Sequence, residues 1–232
     1  MSLPQGFCSF NVAPASGGVQ LVDGTGEALS NGGSFSFTDS SLNVPVKAGD
    51  LVIAFLGIAG TANFSALKPS GFTTIANGYA SDTYDAMANV SYKVLTSDSL
   101  GTVTFPSTNT SFSNAGFIMV FRGASVPSSW NYSIKDRTNS DDPQFDPLPN
   151  SLNSDTSMVV RAGVAAHAAG TIRMQTDTLL NYVVQDEAND TNDVSAALGV
   201  QFRTPTVSTY NWFCSGSGTA SSAMAIQVEI PV

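Results

Sequence analysis

Charged side chains are scarce in this sequence. They make up 12% of the 232 residues, about half the share usual in a globular domain. Only three glutamates and four lysines occur, so the residues that favour helices are few. The polar surface must then be built from Ser, Thr, Asn and Gly, which are typical of strands and turns. The composition predicts an all-β fold.

Basic charge is the scarcer of the two signs. Nine basic residues stand against 18 acidic ones, giving a net charge of −9. Nucleic acid and anionic membranes attract the opposite balance. The longest apolar run, residues 51–60, is about half a membrane span, and residues 1–5 do not resemble a signal peptide. We therefore expect no nucleic-acid partner and no membrane insertion.

Residue types that carry catalysis or bind metals are also rare. Cys8 and Cys214 are the two cysteines, and His167 is the single histidine. The cysteines could pair, although two free thiols in a reducing cytoplasm are the favoured interpretation. A histidine-pair metal site, a G-x-S-x-G elbow and a phosphate-binding loop are all missing. The sequence predicts no enzyme, names no catalytic residue and requires no cofactor.

A repeat with a step of 108 residues is the strongest pattern present. Residues 80–85, Ala-Ser-Asp-Thr-Tyr-Asp, return as residues 188–193, Ala-Asn-Asp-Thr-Asn-Asp. The same step carries the alternating apolar residues of a predicted strand onto a second such set: Ala88, Val90, Tyr92 and Val94 onto Ala196, Leu198, Val200 and Phe202. This period is too long for a solenoid unit. It predicts an internally duplicated β-unit.

The repeat divides the chain into four segments. Residues 1–45 form an N-terminal arm with short strands, and 46–124 form the first β repeat. Residues 125–154 are a proline-rich bridge, and 155–232 form the second repeat. Either the halves interleave into one jelly-roll-like β-sandwich, or each half is a small sandwich of its own. We favour one sandwich over residues 46–232, because neither half alone has enough large apolar residues for a core.

The repeated aspartates suggest a calcium site. Asp82 and Asp85 in the first copy, with Asp190 and Asp193 in the second, are oxygen ligands of the kind that Ca²⁺ prefers. Aspartate is also selected by tight turns for backbone reasons, and each phrase directly precedes a predicted strand. We favour the turn interpretation and keep calcium as the alternative.

Three aromatic residues are candidates for contact with carbohydrate. Trp130 and Tyr132 lie in a loop rich in proline and serine, and Tyr84 lies within the first aspartate phrase. Aromatic rings with one apolar face and one polar edge suit such a surface. The alternative is packing against the core.

Four short motifs resemble a family pattern. They are Lys47–Phe55 (KAGDLVIAF), Pro69–Ile75 (PSGFTTI), Ser91–Val94 (SYKV) and Phe117–Ala124 (FIMVFRGA). Together they are similar to virion-associated proteins of tailed bacteriophages, in particular tail-fibre and appendage proteins, with Phe72 where a tryptophan is more usual. The resemblance covers residues 46–124 and implies a β-sandwich module without catalytic residues.

That resemblance leads to an expected function. It implies a virion structural protein, made in the host cytoplasm, that acts in a tail or on a capsid surface and adheres to host glycans. Its partners would be further copies of itself, as a homo-oligomer, and other virion proteins. The alternative from another class is a lectin-like, carbohydrate-binding module of a bacterial surface protein.

Overall fold

Antiparallel strands account for nearly all the regular structure, which confirms the predicted all-β class. The computed structural model describes residues 18–29, 32–60, 67–82, 84–108, 113–138, 144–152, 156–168, 172–175, 182–188, 192–202, 210–211, 213–216 and 220–232. Within these ranges helical geometry is confined to the 3₁₀ turn Asp39–Ser41 and to Gly32. No helix in the described part of the chain is long and apolar enough to cross a membrane.

Ten of the strands build two five-stranded sheets. The strands are β1 Gln20–Leu29, β2 Phe35–Phe37, β3 Leu51–Ala59, β4 Thr73–Ala80, β5 Ala86–Val94, β6 Val103–Phe105, β7 Asn114–Arg122, β8 Tyr132–Thr138, β9 Gln144–Phe145, β10 Met158–Ala168, β11 Ile172–Gln175, β12 Tyr182–Ala188, β13 Asn192–Phe202, β14 Tyr210–Asn211, β15 Phe213–Gly216 and β16 Ala220–Ile230. The first sheet has the order β1-β7-β3-β5-β4 and the second has the order β12-β13-β10-β16-β8. The pairs β2–β6, β9–β14 and β11–β15 form small additional sheets.

Each five-stranded sheet comes from one side of the connection at residues 123–131. A jelly-roll-like sandwich would require strands of the two halves to interleave. They do not interleave within these sheets. They do not form two separate sandwiches either, because each half supplies one sheet of a single sandwich. The sequence boundaries also shift: β1 lies within the segment assigned as an arm, and β8 lies within the proline-rich bridge.

The two sheets share one strand order. Read in chain order, β1, β3, β4, β5 and β7 take the places that β8, β10, β12, β13 and β16 take in the second sheet. Leu51 of β3 pairs with Val94, and Met158 of β10 pairs with Phe202. Val94 and Phe202 are 108 residues apart (202 − 94), whereas their partners Leu51 and Met158 are 107 apart (158 − 51), so the repeat step holds for one strand of the pair and is one residue shorter in the other.

A shared core fills the space between the sheets. Leu51, Ile53 and Phe55 of β3 lie in one cluster with residues such as Val160 and Val164 of β10. Burying each such side chain contributes about 1.5–3 kcal/mol. The predicted inward face of β5 is confirmed for Ala88 and Val90, while Tyr92 packs at the rim and Val94 is exposed.

The outer face of the first sheet is covered as well. Val52, Ala54 and Leu56 of β3 pack there with Phe35 and Phe105 from the small β2–β6 sheet. Because β3 is buried on both faces, its sequence is a continuous apolar run and does not alternate. The outer face of the second sheet differs, since buried polar side chains occupy it.

Candidate functional site

The first aspartate phrase forms a hydrogen-bonded turn. Oδ1 of Asp85 accepts a hydrogen bond from the Asp82 amide at 3.0 Å, and Oδ2 accepts one from the Tyr79 hydroxyl at 3.0 Å. Both carboxylate oxygens of Asp85 thus have partners within the protein. In the second copy, Asp190 lies outside the described residues, and the backbone of Asp193 pairs with that of His167.

Metal ligands do not converge in the part of the chain that the structure describes. No group of three or more His, Cys, Asp or Glu side chains there could hold a metal ion. Calcium at the aspartate phrases stays a prediction to be tested, and the hydrogen bonds of Asp85 agree with the turn interpretation.

The three candidate aromatic residues do not lie together. The carbonyl oxygen of Tyr84 accepts a hydrogen bond from the Ser222 hydroxyl at 2.5 Å, which places Tyr84 beside one end of β16. Tyr132 pairs with Val228, six residues further along the same strand, a distance of about 20 Å. Tyr84 is therefore remote from Trp130 and Tyr132.

Trp130 instead meets Tyr92. These two residues, together with the exposed Tyr132 two positions after Trp130, form what we call the aromatic ledge. The rings of Trp130 and Tyr92 lie 5.0 Å apart, centroid to centroid, at an angle of 54°. Tyr132 is 38% exposed, whereas Trp130 and Tyr92 are half-buried against the core. Tyr132 shares the core-facing side of the sheet with its buried partner Val228. Because β8 is an edge strand, this side is open to solvent there.

Tyr92 was missed as a site residue because its pattern predicts burial. It continues the alternation of Ala88 and Val90, which do face the core. Where β5 ends at Val94, however, the core opens and the alternating side chains reach solvent. The useful signal would have been the position of Tyr92 close to the end of its strand.

Exposed hydroxyl groups lie near the ledge, and the segment that carries Trp130 and Tyr132 is uncharged. Residues 123–134 contain no charged side chain. Ser128 and Ser129, directly before Trp130, are exposed, as is Thr73, the cross-strand partner of Tyr92. The ledge thus combines aromatic rings with nearby hydroxyl groups.

A buried polar cluster lies behind the ledge, on the outer face of the second sheet. Arg161 is fully buried, and its Nε donates to Oε1 of Gln227 at 2.7 Å. Asn131 donates from Nδ2 to Oε2 of Glu229 at 2.9 Å and to the carbonyl of Asn150 at 3.1 Å. These bonds fix the backbone between Trp130 and Tyr132. The sequence feature that could have predicted this cluster is the occurrence of Arg161, Gln227 and Glu229 within otherwise apolar strands.

Carboxylates at one end of the first sheet hold the loops together through hydrogen bonds. Asp39 accepts hydrogen bonds from the Ser99 hydroxyl at 2.6 Å and from the Leu100 amide at 2.7 Å. These two bonds lower the pKa of the Asp39 carboxyl below its ordinary value. Asp98 accepts from the Ala48 amide at 2.8 Å. Asp39 and Asp98 line a shallow depression of about 350 Å³ together with residues 42–46.

A buried ion pair closes the same end. Asp50, 2% exposed, receives two hydrogen bonds from Arg122, Nε to Oδ1 at 2.9 Å and Nη2 to Oδ2 at 2.8 Å. The hydrogen bonds to Asp50 are the main reason that the pKa of Arg122 is raised. Arg122 also donates to the Pro45 carbonyl at 3.2 Å. This arrangement joins the start of β3 to the end of β7.

Comparison with known proteins gives no relative from which a function could be transferred. No protein-family model matches the chain, and searches of curated proteins and of solved structures return no match. The function must be argued from the chain's own residues.

Proposed function

We propose that this chain is a bacteriophage virion structural protein, a tail-fibre, tail-appendage or capsid-surface module built by internal duplication. It assembles with copies of itself and with other virion proteins, and it contacts host-surface glycans. Two observations support the proposal: the antiparallel sandwich and the motifs of residues 46–124 that resemble phage appendage proteins.

The observation that carries the proposal is that the acidic side chains hold loops in place by accepting hydrogen bonds from backbone amides. Asp23, Asp39 and Asp98 each accept hydrogen bonds from backbone amides of neighbouring loops, and Asp85 accepts one from an amide of its own turn. Asp50 binds both an amide and Arg122. Carboxylates engaged in this way hold loops in place at both ends of the first sheet. Such rigid loops suit a particle component that must keep its shape.

Assembly has a suitable surface at the end of the sandwich where residues 123–131 connect the sheets. Four of the seven large apolar side chains that are exposed in the described residues lie there, beside Tyr132 of the ledge: Val44, Val94, Val126 and Val232. Their location follows from the hydrogen bond between the amide of Ser125 and the carbonyl of Pro231, and from the strand pairing of Leu51 with Val94. Exposed apolar side chains concentrated in one region are typical of protein contacts.

Light scattering on the purified chain tests assembly, and sequencing of the DNA that flanks its gene tests the virion role. We expect a closed homo-oligomer and neighbouring genes for portal, terminase or tail proteins. A strict monomer whose gene lies among genes unrelated to phage particles would contradict the proposal.

The second candidate is a lectin-like module of a bacterial surface protein, and the aromatic ledge is the observation that favours it. Both candidates allow glycan binding, so that property alone does not separate them. A monomer that binds glycans and is encoded beside cell-surface genes would support the lectin-like module instead.

A further inference from the structure

We propose that the aromatic ledge of Tyr92, Trp130 and Tyr132 binds the apolar face of a neutral pyranose. This inference deepens the proposed glycan contact and rests on it, because it names the surface and the class of sugar. It rests on the ring contact between Trp130 and Tyr92 and on the exposed ring of Tyr132.

The shape of the ledge suits a sugar ring. The tilt of 54° between Trp130 and Tyr92 makes a corner, and the exposed Tyr132 follows Trp130 by two residues. A pyranose presents C–H groups on one face and hydroxyl groups around its edge. Aromatic side chains offer a large apolar surface with few rotatable bonds, so they bind such a face at a low cost in conformational entropy.

The uncharged segment that carries Trp130 and Tyr132 favours a neutral sugar over an acidic one. Exposed hydroxyls of Ser128, Ser129 and Thr73 flank the ledge and can exchange hydrogen bonds with sugar hydroxyls. A uronic or sialic acid would need a cation, and residues 123–134 supply none. Lys93, next to Tyr92 in sequence, pairs with Val52 and so belongs to the opposite face of the sheet.

The buried polar cluster holds the ledge in its binding geometry. Between Trp130 and Tyr132, the side chain of Asn131 is hydrogen-bonded to Glu229 and to the Asn150 carbonyl. Trp130 also packs against the core. A surface fixed before binding loses less conformational entropy when the ligand arrives.

Tryptophan fluorescence of the full chain tests the inference. The sequence contains two tryptophans, so Trp212→Phe leaves Trp130 as the sole reporter. The probes are the methyl glycosides of glucose, galactose, mannose and N-acetylglucosamine, with methyl glucuronide as the charged comparison. We expect a saturable change in Trp130 emission at millimolar concentration with at least one neutral glycoside, and weaker binding of the glucuronide.

Two tyrosine variants, each made in the Trp212→Phe protein, distinguish sugar binding at the ledge from an effect that any exposed tyrosine would have. Tyr132→Ala should weaken binding about tenfold, equivalent to about 1.4 kcal/mol. Tyr79→Ala is the matched control, because Tyr79 is 39% exposed and lies on β4, away from the ledge. Melting temperatures of both variants establish that they are folded.

Three results would overturn the inference: no saturable response to any neutral glycoside, equal losses in the two variants, or tighter binding of the glucuronide. Light scattering on the same samples measures the oligomeric state, so failure of the ledge inference can be distinguished from failure of the proposed function. An oligomer that binds no glycoside would remove the ledge assignment and leave the structural role standing.

Discussion

The central strands of the two sheets meet at Gly57 of β3 and Val164 of β10. A Cβ atom added at Gly57 would lie 2.8 Å from Cγ2 and 2.9 Å from Cβ of Val164, and 3.3 Å from Cζ of Phe55. Rotating the Val164 side chain moves Cγ2 but cannot move Cβ. The substitution Gly57→Ala must therefore push the strands apart.

The expected cost follows from overpacking. Gly57→Ala should lower the free energy of unfolding by about 1–3 kcal/mol, even though alanine is otherwise better than glycine in a strand by about 0.5–1 kcal/mol. Val164→Ala alone should cost about 2 kcal/mol through lost burial. In the double variant Cγ2 is gone, so a small shift relieves the remaining contact. We expect about 1 kcal/mol of favourable coupling between the two sites.

Urea unfolding of the four proteins in this cycle measures the coupling. Each kcal/mol should also shift the melting temperature by roughly 2–4 °C. The control combines Gly57→Ala with Val228→Ala, whose strand partner Val160 lies four residues, about 13 Å, along β10 from Val164. That pair should be additive. Two results would refute the direct contact between Gly57 of β3 and Val164 of β10. One is that Gly57→Ala stabilises the protein, and the other is that the free-energy changes of the Gly57 and Val164 substitutions add within about 0.5 kcal/mol.

The other predictions concern the carboxylates. Arg122→Ala leaves the buried Asp50 carboxylate without its cation and should cost about 1–3 kcal/mol, reduced because Arg122 is 32% exposed; an unchanged urea midpoint would contradict this. Hydrogen bonds from a serine hydroxyl and a backbone amide lower the pKa of Asp39. The ionised carboxylate therefore stabilises the fold at pH values above the ordinary carboxyl pKa, and this stabilisation is lost as pH falls through the lowered pKa. Asp39→Asn should therefore flatten the loss of stability between about pH 5 and pH 2, and profiles identical to the parent would argue against it. Since both oxygens of Asp85 are engaged, the melting temperature should be the same in calcium and in chelator; stabilisation by calcium would support the metal alternative.

Local sequence patterns anticipated the strands better than the way they assemble. The alternation of Ala88 and Val90 and the apolar run of β3 reflect side chains that alternate across a strand or are buried on both faces. Those properties depend on a few neighbouring residues. The interleaving of the halves was not anticipated correctly, because strand order depends on which distant strands pair, and the repeat is compatible with several pairings.

The candidate site was anticipated only in part, for a related reason. Trp130 and Tyr132 are two residues apart in the chain, so their proximity follows from sequence, whereas Tyr92 meets Trp130 only through tertiary packing. Tyr84 lies apart from the ledge, because the two ends of β16 separate them. No local pattern reports such distances.

By itself, the sequence determined the all-β class, since that follows from composition and short-range periodicity. The tertiary structure decided that each half forms one sheet, that the sheets share a core at β3 and β10, and that the core face becomes an exposed ledge at Tyr132. It also decided that Asp85 closes a turn with both of its carboxylate oxygens. These outcomes depend on contacts between residues far apart in the chain, which only the folded backbone brings together.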